Sequence, residues 1–353
     1  MANLAKPISL PEKITLTVTK RCNYRCRMCY QTDYTSEIDW AVVEKVAPLL
    51  PFAHEMQIFG GEPLSSKYIQ KLYQLAHVNE CNIHMVSNGS LLTDAMVKNI
   101  VDNRVFHIKF SIDAGTPQTY KHIRGGNFFK VLAGIGAISQ EKLRQHALYP
   151  IMDFNFLAMR CNVHELSRLI VMGKELGIRA INVFYPTMHS PEMVAESLFL
   201  HQNYGDEQLM KAVAVARNLQ FPLLIPPLFT VPREEIADVL NCKPTCEDPW
   251  TTLIVDVDGT ISQCCAGAPI LGSLLENDFA TLWNGAIAQS LRKTINTPAE
   301  PAYCKRCRLR KQDPSTVGYH IANPEWVEQL KQHRVPAPAM HLMKEAMTQG
   351  CAP

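Results

Sequence analysis

What this chain lacks narrows its function first. No apolar run is long enough to span a bilayer; the best candidate, Leu223 to Val231, is broken by Pro226 and Pro227. The N-terminus, Met1 to Lys13, has no apolar core of the kind a secretory signal needs. Neither sign of charge is in excess: 35 basic residues stand against 33 acidic ones, a net charge of +2. That balance gives no electrostatic footing for nucleic acid or an anionic membrane as partner. There is no low-complexity tract and no repeat of fixed residues, and the 12 histidines form no spaced motif. These absences predict a cytoplasmic globular protein.

Cysteine, by contrast, is plentiful, with 12 in 353 residues. Cytoplasmic thiols stay reduced, so such density points to metal sites over disulfides. The length supports one large domain and a smaller one, and the 47% hydrophobic content supplies ample core.

A strand-then-helix rhythm runs through the first half. Ile14, Leu16 and Val18 alternate with threonines, as a strand requires. Strand-like runs recur at Glu55–Phe59, Asn82–Val86, His107–Ile112, Asp153–Ala158 and Ala180–Phe184. Helical stretches lie between them at Asp39–Leu50, Tyr68–His77, Thr93–Asp102, Phe128–Lys142 and Val163–Leu176. The last has Asn162 as a predicted cap and Glu165 three residues on, a relaxed capping box. Alternating strands and helices imply a parallel sheet, because each parallel pair needs a crossover. Pattern alone does not separate a partial barrel from an open sheet.

Residues 22–29 read Cys-Asn-Tyr-Arg-Cys-Arg-Met-Cys, a C-x3-C-x2-C loop directly after the first strand. Thiolates are the usual ligands of iron–sulfur centres. Three of them leave one iron of a cubane open, which is what lets a metal act on a bound molecule. A structural zinc would want a fourth ligand, and Asn23, Tyr24, Gln31 and Thr32 offer none.

This loop, with aromatic Tyr30 after its third cysteine, resembles the signature of the radical S-adenosylmethionine (SAM) superfamily. The resemblance covers about residues 13–310 and implies a partial (β/α)6 TIM-like barrel. It implies a 4Fe–4S cluster on Cys22, Cys26 and Cys29 whose open iron chelates SAM. One-electron reduction then yields a 5′-deoxyadenosyl radical that abstracts hydrogen from a substrate. Further segments resemble the family's SAM site. Gly60-Gly61-Glu62-Pro63 follows the second strand and resembles the motif that contacts the methionine amino group. Ser87-Asn88-Gly89 and Ser111-Ile112-Asp113 resemble ribose-contacting segments. Arg124 resembles the arginine that pairs with the methionine carboxylate. Asn162 resembles a polar ligand after the fifth strand, and Val183 an adenine-lining residue after the sixth. All fall at strand C-termini, where parallel α/β folds place ligand sites. The resemblance also implies an electron donor such as a flavodoxin or ferredoxin.

A second cysteine set lies further on. Cys246 and Cys264 flank an alternating stretch, Leu253, Val255 and Val257, that ends at Asp258-Gly259, a favoured hairpin turn. Cys304 and Cys307 form a C-x2-C pair. Four thiolates close a site with no open position, suited to a complete cluster or a zinc. The pattern resembles the shortened auxiliary-cluster module called twitch, related to the longer SPASM module, and implies a second 4Fe–4S cluster. Cys242 is the alternative to Cys246. Cys265, beside Cys264, is the candidate catalytic thiol, able to return a hydrogen atom if the reaction is an epimerisation.

The expected organisation is a core barrel over 1–186, a connector over 187–241, a small hairpin-plus-helix auxiliary domain over 242–310, and a tail over 311–353. A small-molecule substrate such as a sugar or cyclitol, oxidised or epimerised, is the favoured reading. Twitch modules occur in the dehydrogenase of 2-deoxy-scyllo-inosamine and in sugar epimerases. The alternative is a maturase of ribosomally made peptides, and a more distant one is a non-catalytic iron–sulfur or zinc protein.

Overall fold

The computed structural model describes residues 10–231, 245–305, 307, 310 and 317–331. Six parallel strands follow the chain in order: β1 (Lys13–Thr19), β2 (Glu55–Gly60), β3 (Asn82–Ser87), β4 (His107–Ser111), β5 (Ile151–Leu157) and β6 (Ala180–Phe184). Their sequence-predicted limits shift by no more than two residues. Seven helices accompany them: α1 (Trp40–Val46), α2 (Ile69–Val78), α3 (Asp94–Asp102), α4 (Pro117–Arg124), α5 (Phe128–Gln145), α6 (Leu166–Glu175) and α7 (Gln202–Asn218). This is a partial (β/α)6 barrel. Ile14, Leu16 and Val18 are fully buried, as are Met56, Ile58, Ile108, Phe110, Phe154 and Phe156 on the neighbouring strands. Each such aliphatic side chain contributes about 1.5–3 kcal/mol by leaving water.

The sheet is larger than the rhythm predicts. Its full order is β10-β9-β8-β1-β2-β3-β4-β5-β6-β7. β7 (Leu223–Leu224) comes from the expected connector and pairs with β6. The expected hairpin, β8 (Thr252–Val255) and β9 (Thr260–Ser262), is present, and Gly259 takes φ +80 in its turn. β8 pairs in parallel with β1, and β10 (Gly272–Ser273) adds to β9. The auxiliary segment therefore continues the barrel sheet.

Two local expectations change. The first predicted helix ends at Val46 and tightens into a 3-10 turn over Ala47–Phe52, because Pro48 and Pro51 cannot donate the α-helical bonds. The capping box before α6 is absent. Asn162 sits at φ −132, ψ −17 and makes no cap bond, because a 3-10 turn, Val163–Glu165, leads into the helix. Its side chain instead receives Met159 N–H at 2.7 Å and donates to the carbonyls of Asp113 and Leu157. Glu165 turns back to the segment after β4 and accepts from Gly115 N–H, Thr116 and Thr119.

Outside the main core, Met188, Met193, Val194, Ile321 and Val327 form part of a satellite cluster with Ile123, Met159 and Cys161. Among the described residues no helix is long and apolar enough to cross a membrane.

Candidate active site

The C-x3-C-x2-C loop leaves the C-terminal end of β1 and is held by its own backbone. Cys29 N–H donates to Cys26 O at 3.0 Å, closing a turn over the last two cysteines. Arg25 wraps the outside, donating to Cys22 O at 2.7 Å and Tyr24 O at 2.9 Å, with its guanidinium 3.6 Å over the Tyr34 ring. Tyr24 N–H points at Cys22 Sγ from 3.4 Å.

Gly60 and Gly61 explain how the loop is seated. Gly61 N–H donates to Thr19 O and Glu62 N–H to Arg21 O, each at 2.8 Å. A Cβ on Gly60 would lie 2.0 Å from Thr19 O, and one on Gly61 2.2 Å from Arg21 O. The glycines are needed because the chain leading into Cys22 passes directly over them.

All three cysteines border a cavity of about 810 Å³ at the strand C-termini, together with Tyr30, Gly60, Gly61, Ser87, Asn88, Ser111 and Arg124. Glu62, Pro63, Asp113, Asn162 and Val183 do not line it, and each has a local reason. The Glu62 carboxylate is buried and accepts from Leu64 N–H, Ser87 Oγ and Asn88 N–H, tying β2 to β3. Burial raises its pKa against those bonds. Pro63 starts a buried 3-10 turn. Asp113, at φ +53, accepts Leu157 N–H and pairs with Arg124. Asn162 spends its amide on β5 and its flanking loop. Val183 packs into the core.

Arg124, in the last turn of α4, is divided. One terminal nitrogen binds Asp113 and the other lies 3.8 Å from Cys26 Sγ. Its Nε has no hydrogen-bond partner among the described residues. A buried, orphaned cationic donor beside the cluster loop fits an anionic ligand group such as a carboxylate. Burial pushes the Cys26 thiol up to about 11, with Arg124 pulling it back, and raises Cys22 too. These thiols need a metal's positive charge to ionise near neutrality, as cluster ligands do.

Sequence reasoning missed the far wall. The β8–β9 hairpin turns Leu253 and Val255 into the core and puts Ile254, Asp256, Thr260, Ile261 and Ser262 on the cavity. Lys20, two residues before Cys22, pairs with Asp256 at 3.0 Å across this gap. Met28 and His189 also line the cavity, and the His189 ring tilts against Tyr30 at 5.2 Å. Only the alternation of the hairpin signalled such a wall.

The second cysteine set gathers behind the hairpin. Cys246 and Cys304 join a small cluster with Leu291 and Ile295. Asn296 clasps Cys246, accepting its N–H at 2.8 Å and donating to its carbonyl at 2.9 Å. Ala266 N–H points at Cys264 Sγ from 3.4 Å, and Cys307 N–H donates to Cys304 O at 3.2 Å. Burial, with Cys264 adding to it, lifts Cys246 and Cys304 to about 11 each. Cys264 thus lies within electrostatic reach of Cys246, Cys304 and Cys307. Cys242 lies outside the described residues. Cys265 is exposed and does not line the cavity, but it lies close enough to Tyr30 to raise the phenol, after burial and Cys29.

Comparison with known proteins follows this geometry. Residues 16–155 match the model of the Radical SAM superfamily, and residues 246–308 that of SPASM, an iron–sulfur cluster-binding domain. The second match begins at Cys246 and ends just past Cys307. A GTP 3′,8-cyclase of Saccharophagus degradans is 31% identical over 47% of this chain and 51% of its own. The chain thus spans about half the length of such relatives. A PqqA peptide cyclase of Rhizobium meliloti is 23% identical over 86% of this chain and 81% of its own. Solved structures share the fold, among them two holding S-adenosylmethionine. Native anSMEcpe with bound AdoMet has a TM-score of 0.63 at 15% identity, covering 93% of this chain and 98% of that one. Streptococcus suis SuiB bound to S-adenosylmethionine has a TM-score of 0.62 at 13% identity, covering 81% and 66%. The matched domains imply a 4Fe–4S cluster with SAM in the first and iron–sulfur binding in the second. With a cysteine loop seated on β1 in the first matched segment and the second cysteine set inside the other, the chain carries a Radical SAM domain over residues 16–155 and a C-terminal SPASM iron–sulfur cluster-binding domain over residues 246–308.

Proposed function

We propose that this chain cleaves SAM reductively and uses the product radical to modify a side chain or backbone carbon of a peptide. Cys22, Cys26 and Cys29 would hold the catalytic cluster, and Cys246, Cys264, Cys304 and Cys307 the auxiliary one. When bound, the catalytic cluster supplies the electron that splits the sulfonium of SAM and so starts hydrogen abstraction. Arg124 would receive the methionine carboxylate at its unpartnered Nε, while Gly60 and Gly61 allow close approach of the methionine end. Ser87, Asn88 and Ser111 line the wall where the ribose would lie.

The cavity mouth carries the choice of a peptide. Tyr30, Phe59 and Ile270 all line the cavity yet are 69%, 40% and 60% exposed. Large apolar groups gathered around an opening mark an interaction surface. A sugar or cyclitol, mostly hydroxyl, would leave them in water, whereas apolar peptide side chains would cover them. The PqqA peptide cyclase, similar over most of both chains, supports the same reading, as do SuiB and anSMEcpe, both solved with peptides.

The test uses anaerobically reconstituted protein, dithionite and SAM, with deuterated peptides and deuterated aminosugars or cyclitols supplied in parallel. Deuterium should enter 5′-deoxyadenosine from a peptide. Transfer from a sugar or cyclitol and none from any peptide would overturn the peptide assignment and leave the SAM chemistry standing. No 5′-deoxyadenosine at all would overturn both.

A further inference from the structure

The chain beyond residue 308 lies outside both matched domains, yet residues 317–331 are docked beside the cluster loop. We infer that this segment is a positioning strap, holding the cluster loop and the β6 loop on either side of the cavity. It goes beyond the peptide reading and does not depend on it.

Two physical routes lead from the strap to the cysteine loop. The first is through the backbone. Met188 N–H donates to His320 O at 2.7 Å and Ala322 N–H returns to Met188 O at 3.0 Å, a parallel bridge centred on Met188 and Ile321. Met188 stands between Thr187 and His189, both on the cavity wall, and His189 lies against Tyr30, next to Cys29. The second route is through packing. Ile321 and Val327 are buried with Met188, Met193, Ile123 and Met159, and Trp326 packs against the same cluster. Met28, between Cys26 and Cys29, packs on that cluster as well as lining the cavity. Ile123 adds a further tie, because its carbonyl accepts Arg27 N–H at 3.0 Å and it precedes Arg124.

The satellite cluster is separate from the barrel core. Loosening it should therefore disturb the loop while leaving the barrel folded, because packed cores fail locally before they fail globally. A plain surface strap would stabilise the fold without touching the metal site.

Ile321→Asp and Trp326→Ala in the full reconstituted chain test this, with Ile321→Val as the conservative control. Iron release to bathophenanthroline should quicken roughly 10-fold, the lower range for loss of supports around metal ligands. The KM for SAM in substrate-free cleavage should rise more than kcat falls, and the SAM-induced change in the electron paramagnetic resonance signal should broaden. Ile321→Val should match wild type. A lower melting temperature with unchanged iron release and unchanged KM would overturn the inference, as would wild-type behaviour in both variants. Should Ile321→Asp fail to fold, Trp326→Ala carries the same outcomes.

Discussion

Arg124 shows how much a single guanidinium can be asked to do. It neutralises buried Asp113, approaches Cys26 and has one donor, Nε, without a partner among the described residues. Arg124→Ala should weaken SAM binding by about 1.5–3 kcal/mol, read by calorimetric titration. It also strands the Asp113 carboxylate, and breaking a buried pair typically costs about 3–5 kcal/mol, so the melting temperature should fall as well. Unchanged affinity in folded variant would remove Arg124 from the methionine site. Gly61→Val acts differently from the simple steric block of SAM that the motif suggests, since its Cβ would meet Arg21 O and displace the cluster loop itself. Iron content should drop together with SAM binding. Cys265→Ala is the sharper test of a thiol donor. If the product is an inverted centre, turnover should stop at unquenched radical, and full turnover would dismiss the idea. At this scale the cysteines could be read because three thiols in eight residues have few other uses. Glu62, Asp113 and Asn162 could not, because a polar residue ending a strand looks the same whether it meets a ligand or a neighbouring turn.

Among the elements, β4, β5 and the entry to β6 share one charged tie. His107 lies 2.9 Å from the Asp153 carboxylate, and Arg179 forks onto the same group. Burial alone would raise the Asp153 pKa, but the bonds from His107 and Arg179 outweigh it and hold the carboxyl below its usual range. A depressed folded pKa contributes stability that is present above the unfolded value of about 3.9 and is lost as pH falls below it. Thermal melts should therefore weaken from about pH 4 downward, and Asp153→Asn should flatten that acid limb. The auxiliary element makes a metal prediction. With Cys22, Cys26 and Cys29 all replaced by alanine, about four irons per chain should remain, seen by iron analysis and Mössbauer spectroscopy. About one zinc and no iron would reject the auxiliary cluster. The six long strands could be read because their alternation is local. β7, β10 and the joining of β8 to β1 could not, since two-residue strands have no period and pairing across such a separation leaves no local mark.

Across the whole molecule, the ten-stranded sheet makes the two cysteine sites parts of one body. β1 stands between β2 and β8, with the cluster loop at its end. Removing residues 246–353 would turn β1 into an edge with Ile14, Leu16 and Val18 beside an open ladder. Such edges invite pairing with other chains. The truncated protein should aggregate on size-exclusion chromatography, whereas a truly separate domain would leave a soluble barrel. The shared strand also sets a clock during synthesis. β8 leaves the ribosome more than two hundred residues after β1. At about 5–20 residues per second, β1 waits on the order of ten to fifty seconds with one side open. In that interval, chains on neighbouring ribosomes of one message all pass through a length at which β1 is made and β8 is not, so the open side of one β1 can meet that of its sister.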